Sequence, residues 1–180
     1  VRPVTNRDIG LKVLCKAPAE AAQSTDIVAI HGLGAHPDDA WCKNDGTTEE
    51  PEWVNWLIED DMLPAVAPHA RIMRYGYQSE WFGKEAMQQN VSTVADRLLR
   101  ALRRKREEFP FRPLLFIAHC FGGLVVLKAL LEAEQYKSEW PGVFASTTGL
   151  IFFGTPFRGA EGMSQMEMLE AARREYHEDE

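Results

Sequence analysis

One cysteine sits where a nucleophile would be built. The run Ala118-His119-Cys120-Phe121-Gly122-Gly123 lies between an apolar stretch, Leu114–Ala118, and a Leu/Val/Ala-rich stretch of helical period. Strand, tight turn and helix, with small residues two places either side of a central nucleophile, is the pattern of a nucleophile elbow. The turn is so sharp that only small side chains fit beside it, and the central side chain protrudes above the sheet edge. Ala118 stands where the common form has Gly, and Cys120 where it has Ser. The first change is mild, and the second alters the chemistry without altering the geometry. A thiol at a helix N-terminus is expected to ionise more readily, because the helix dipole and the free amides favour the thiolate. Such a thiolate attacks an acyl carbonyl. The ordinary alternative is a structural cysteine buried in a strand–helix turn.

Acyl transfer also needs donors fixed in advance for the tetrahedral oxyanion. One is the amide after the nucleophile, Phe121. The other comes from a loop after an earlier strand, and His31-Gly32-Leu33-Gly34 follows the compact apolar run Asp26–Ile30. Leu33 is the expected second donor, with Gly32 and Gly34 letting the backbone approach a substrate. His31 is read as a packing and hydrogen-bonding residue that shapes this loop, and His119 as structural. A third segment, Gly154-Thr155-Pro156-Phe157-Arg158-Gly159, leaves a strand at the edge where α/β folds place ligands. His31, Gly32, Gly34, Thr155 and Pro156 are therefore candidates for lining a substrate pocket.

These segments need a scaffold, and the hydrophobic pattern supplies one. Short apolar runs alternate with helix-period stretches, the signature of a mostly parallel α/β sheet. Strands are expected at Gly10–Cys15, Asp26–Ile30, Arg71–Tyr77, Leu114–Ala118 and Thr148–Phe153. Helices are expected at Glu52–Leu63, ended by Pro64 and Pro68, and at Lys84–Phe109, with Val91, Val94, Leu98, Leu99 and Leu102 on one face. Two more are expected at Gly122–Tyr136 and Glu161–Tyr176, the last with Met163, Met166 and Leu169 on one side. Trp41, Trp53, Trp56, Trp81 and Phe82 pack the core and loops, line an acyl pocket above Cys120, or form an interdomain surface.

Composition bounds the rest. The chain has 180 residues, 45% hydrophobic and 26% charged, which fits one globular domain over residues 1–180. Its net charge of −7 argues against nucleic-acid binding. The acid excess is local, with nine Asp and Glu between residues 38 and 61 against Lys43 alone. The basic cluster Arg97, Arg100, Arg103, Arg104, Lys105 and Arg106 is read as a solvated helix face. Cys15, Cys42 and Cys120 are odd in number and widely spaced, which suits a reducing, cytoplasmic setting better than a disulfide scaffold. No apolar run is long enough to span a bilayer, and the N-terminus reads as the interior of a longer chain rather than a secretory signal. P-loop, GxGxxG and HExxH motifs are absent, so neither a cofactor nor a metal is expected.

The segments HGLGAHPDDAW, RIMRYGYQSEWFG, LLFIAHCFGGLVVLKALL and LIFFGTPFRGAEG together resemble the α/β-hydrolase domain of serine esterases and lipases. More narrowly, they resemble the N-terminal domain of fungal NOD-like receptor proteins, ahead of a nucleotide-binding and repeat region. The resemblance implies a three-layer, mostly parallel sheet flanked by helices, with a nucleophile at Cys120 and oxyanion donors at Leu33 and Phe121. It also implies an acyl-ester or lipid substrate and further domains on the same polypeptide. The hydrolase order is nucleophile, acid, then histidine. After Cys120 the one His is His177 and the one Asp is Asp179, both in a polar tail. His177 with Glu161, Glu167, Glu170 or Glu175 would be a makeshift pair, so the expectation is that the C-terminal strands of the fold lie beyond Glu180. The rival expectation is a catalytically inactive scaffold that serves as a signalling or interaction module.

Overall fold

The computed structural model describes residues 2–18, 24–47, 49–79 and 83–157. The expected helix Glu161–Tyr176 with its Met163, Met166 and Leu169 stripe, Trp81, Phe82, Arg158, Gly159 and His177 lie outside these residues.

The apolar runs form one sheet. Its strands are β1 (Gly10–Cys15), β2 (Thr25–Ile30), β5 (Ala70–Gly76), β6 (Leu114–His119) and β7 (Thr147–Phe153), in the order β1-β5-β2-β6-β7. Strands β5, β2, β6 and β7 are parallel, and β1 closes one side antiparallel to β5. The result is an α/β fold with a mostly parallel central sheet, compatible with an α/β-hydrolase-like class. Central β2 is buried on both faces, which is why it reads as a continuous apolar run rather than an alternating one. Val28 and Ile30 face one cluster with Met73, Phe116 and Ala118, while Ile27 and Ala29 face another with Ile72 and Ile117.

Helices α2 (Gly83–Lys105) and α3 (Phe121–Gln135) cover the first face. Val94, Leu98, Leu99 and Leu102 of α2 are buried there against Val125, Val126 and Ala129 of α3, as the helical spacing of both segments requires. The second face is covered by Trp41 and Leu57, both almost wholly buried, from the segment between β2 and β5.

That segment departs from expectation. In place of a helix over Glu52–Leu63, Trp53–Asn55 is a short strand, β4, paired antiparallel with β3 (Cys42–Asn44). Two asparagines account for the difference. The Asn44 side-chain oxygen accepts the N–H groups of Gly46 and Glu52, both at 3.0 Å, and closes the hairpin. The Asn55 side-chain oxygen accepts the Leu57 N–H at 3.0 Å, a local turn that competes with helix. Pro64 begins rather than ends a helix: it lies in the first turn of α1 (Leu63–Val66), where its missing N–H costs nothing. Helix α2 also stops at Lys105, short of Phe109, because the next side chain turns inward.

That side chain, Arg106, reaches the buried start of β2. Asp26 is fully buried and receives a bidentate pair from Arg71, at 2.8 and 2.9 Å, and Arg106 Nη1 at 2.7 Å, with Arg112 at 3.5 Å. Arg106 also donates to the carbonyls of Pro110 and Arg112. One carboxylate thus ties together β2, β5, the end of α2 and the entry to β6. Removing one partner of a buried pair strands the other charge, at a cost of about 3–5 kcal/mol. Asp26→Ala should therefore lower unfolding free energy by about that amount in urea denaturation, while Lys43→Ala, in an exposed pair with Asp45, should leave it within error.

Candidate functional site

The parallel pairing of β2 with β6 sets Ile30 beside Ala118, so the segments that leave the two strands emerge side by side. Cys120 follows β6 directly and precedes α3. Its backbone, at φ 49° and ψ −120°, gives it the one positive φ of any non-glycine among the described residues. Such a conformation costs of order 1–3 kcal/mol and persists where its surroundings over-determine it. The Cys120 N–H donates to the Phe153 carbonyl of β7 at 2.8 Å, and the Cys120 carbonyl accepts the Gly123 N–H at 3.1 Å.

The small residues of the motif are explained by what surrounds them. A Cβ on Gly122 would lie 2.5 and 2.6 Å from the carbonyl oxygens of Ile30 and His31, so helix α3 begins in backbone contact with the end of β2. A Cβ on Gly123 would collide with the Thr155 side chain. Gly32 lies against Cys120: its Cβ would fall 3.0 Å from Cys120 Cβ and 3.0 Å from His119 Nδ1. The structure thus brings the His31–Gly34 loop, Cys120 and Thr155 to one end of the sheet.

The loop is braced by a residue that sequence reasoning gave no role. Tyr77, just past β5, donates its N–H to His31 Nε2 at 3.2 Å and its hydroxyl to the His31 carbonyl at 2.8 Å. The two rings stack at 4.3 Å between centroids. With Nε2 accepting, His31 Nδ1 is the donor to the Gly32 carbonyl at 2.9 Å. Burial pushes the His31 pKa down to about 4, with the Gly32 bond acting the other way. His31 is therefore a neutral, fully engaged loop residue, with no lone pair left for a base. Ser79 completes the brace: its carbonyl accepts the Gly34 N–H at 3.0 Å and its hydroxyl donates to the Ala35 carbonyl at 2.9 Å. No local sequence signal marks this role, because it follows from β5 and β2 being neighbouring strands whose exits meet. Gly34 supplies the positive φ of 71° that turns the loop.

Leu33 is half-buried at the loop tip, and its N–H has no hydrogen-bond partner among the described residues. The Phe121 N–H is close enough to the Cys120 thiol to favour its ionised form. Pro156 is buried, and Thr155 Oγ1 and His119 Nδ1 are buried without a hydrogen-bond partner among the described residues. The remaining aromatic candidates divide. Trp41 is core and packs edge-on against Trp56, which in turn meets Phe153, whereas Trp53 is exposed.

The thiol itself overturns one expectation. Burial pushes the Cys120 pKa up from its ordinary value, and the Phe121 N–H lowers it only in part. The helix terminus does not outweigh desolvation, because the thiol packs against the apolar cluster that also receives Leu33, Leu124 and Phe152. Cys120 rests as a thiol at neutral pH and needs a base to become a nucleophile. Cys15 and Cys42 are likewise free and raised by burial.

Comparison with known proteins adds a direction. No protein-family model matches the sequence. The chain is similar to Protein SERAC1 of Homo sapiens, 31% identical over 152 residues, and to Protein SERAC1 of Danio rerio, 27% identical over 145 residues. These alignments cover 75% and 74% of this chain and 22% of each relative. The chain thus spans about a fifth of the length of the curated relatives it matches. With the α/β sheet, this similarity supports a hydrolase-like scaffold.

Two outcomes test this geometry. Gly122→Ala must push apart the end of β2 and the start of α3, so its unfolding free energy in urea should fall as for a severe core lesion, by more than about 2 kcal/mol. His31 gives a pH signature, because its folded value of about 4 lies below the 6.5 of the free side chain. The unfolded chain binds the proton first, so this stability is complete above pH 6.5 and is lost as pH falls toward 4. Over that window it amounts to about 3 kcal/mol. Denaturation at a series of pH values should show that slope, and His31→Gln should flatten it.

Proposed function

We propose that this domain hydrolyses or transfers acyl groups from esters, with Cys120 as nucleophile. The observation that carries the proposal is the Cys120 backbone, held at a positive φ between β6 and α3, the strand–turn–helix position of a nucleophile. A general base takes the thiol proton as Sγ attacks the ester carbonyl. The carbonyl π electrons move to oxygen, and the oxyanion is held by the N–H groups of Leu33 and Phe121. Collapse expels the alcohol, which takes up a proton, and leaves a thioester on Cys120. Water then attacks the thioester, frees the acid and restores the thiol.

His31, Gly32, Gly34, Thr155 and Pro156 frame the approach to sulfur, and the half-buried side chains of Leu33, Leu124 and Phe152 favour an apolar acyl chain or lipid. In this scheme the base and its acid come from chain outside the described residues, as part of a three-layer hydrolase sheet extended beyond β7. The resemblance to fungal NOD-like receptor proteins favours an effector domain of a larger cytoplasmic receptor. A raised thiol pKa favours a second role, a scaffold that keeps the elbow and signals without turnover.

The two roles part on hydrolysis of short and medium acyl esters. The proposal expects turnover that falls about a thousandfold in Cys120→Ala and partly survives in Cys120→Ser. Equal rates in the native and Cys120→Ala proteins would overturn it. Because the thiol is raised by burial, iodoacetamide should alkylate Cys120 more slowly at pH 7 than a free thiol, and faster as pH rises beyond about 8.5. Rapid labelling at pH 6 would contradict the desolvated thiol.

A further inference from the structure

The proposed acyl site leaves unexplained a cavity on another part of the molecule. It has a volume of about 430 Å³ and lies between the last turns of α2 and the turn that joins α3 to β7. Arg100, Arg103, Arg104 and Arg106 line it, with Glu107 the one acid among its lining residues. Its inner side is made by Leu102, Trp140 and Val143, all at most 2% exposed. The basic run that the sequence assigns to a solvated helix face is thus shared between the core and a concavity.

Two of these four charges are neutralised locally and two are not. Arg106 is committed to Asp26 and Arg100 to Asp96 at 2.8 Å. Arg103 and Arg104 are exposed and have no carboxylate partner among the described residues. Two further donors are orphaned on the inner side. Trp140 Nε1 and Arg106 Nε belong to side chains 2% exposed, and neither has a hydrogen-bond partner among the described residues. Buried donors are normally satisfied, and each exception calls for a missing acceptor. The Arg100 guanidinium stands over the Trp140 ring at 5.8 Å, which holds it at the mouth. Guanidinium groups present planar pairs of N–H donors that match phosphate oxygens.

We infer that this cavity is a binding site for a phosphate-bearing anion, with Arg103 and Arg104 as its free charges and the Trp140 side as its floor. A carboxylate would satisfy one guanidinium, whereas a dianionic phosphate engages both. The volume exceeds that of a lone phosphate and suits a phosphate ester, either free in solution or as a lipid headgroup.

Titration calorimetry with pyrophosphate tests the chemistry, and co-sedimentation with phosphatidylcholine vesicles, with and without phosphatidic acid, tests the source. Arg103→Gln/Arg104→Gln removes two exposed, unpaired charges and should leave the fold intact. Arg7→Gln/Lys16→Gln removes the same charge from exposed positions elsewhere. Saturable pyrophosphate binding, weakened at least tenfold by the first pair and not by the second, is expected for a soluble ester. Binding confined to phosphatidic acid vesicles, with the same dependence on Arg103 and Arg104, assigns the headgroup. No saturable binding of either probe, equal loss in both double variants, or acetate binding as tightly as pyrophosphate would overturn the inference.

Discussion

The structure depends on one close approach. The carbonyl oxygens of Ile30 and His31, at the end of β2, lie where any side chain at position 122 would have to stand. That contact lets helix α3 start immediately after β6, and it forces the reversal that puts Cys120 at a positive φ. The same proximity seats Gly32 against Cys120, so the loop carrying the Leu33 amide and the turn carrying the thiol share one position in space. The site is a consequence of backbone packing between two neighbouring strands.

Strand β2 is held at its other end by the opposite device. Asp26 is buried under three arginines from β5, the end of α2 and the segment before β6, whereas the exit of β2 is fixed by glycines and a neutral histidine. An ionic clamp below and close-packed backbone above leave β2 little freedom to slide. Such sliding would carry Gly32 away from Cys120, and in the proposed acyl transfer a displacement of about one ångström would be enough to misplace the oxyanion donors. The Tyr77–His31 stack and the Ser79 bonds serve the same end from β5.

Much of this was legible in the residues. The five strands of the sheet and both long helices follow from apolar runs and period, because those patterns record burial on two faces or on one. The strand–turn–helix at Cys120 was legible because its small residues are demanded by close contact, which leaves a mark in sequence. Three features were not. The hairpin at Cys42–Asn55 hides behind tryptophans at helical spacing, and the side-chain bonds of Asn44 and Asn55 decide the matter locally. The role of Tyr77 depends on which strands are neighbours. The Cys120 pKa depends on a balance between helix terminus and burial that no local pattern records, and burial wins.

The central claim is that Cys120 forms the covalent bond to the acyl group. Brief reaction with an activated acyl ester, followed by acid quench and mass spectrometry of the peptides, tests it most directly. The account predicts an acyl group on Cys120 that vanishes on mild hydroxylamine treatment, as a thioester must. An adduct that resists hydroxylamine, or acylation confined to other residues while the ester is still turned over, would contradict it.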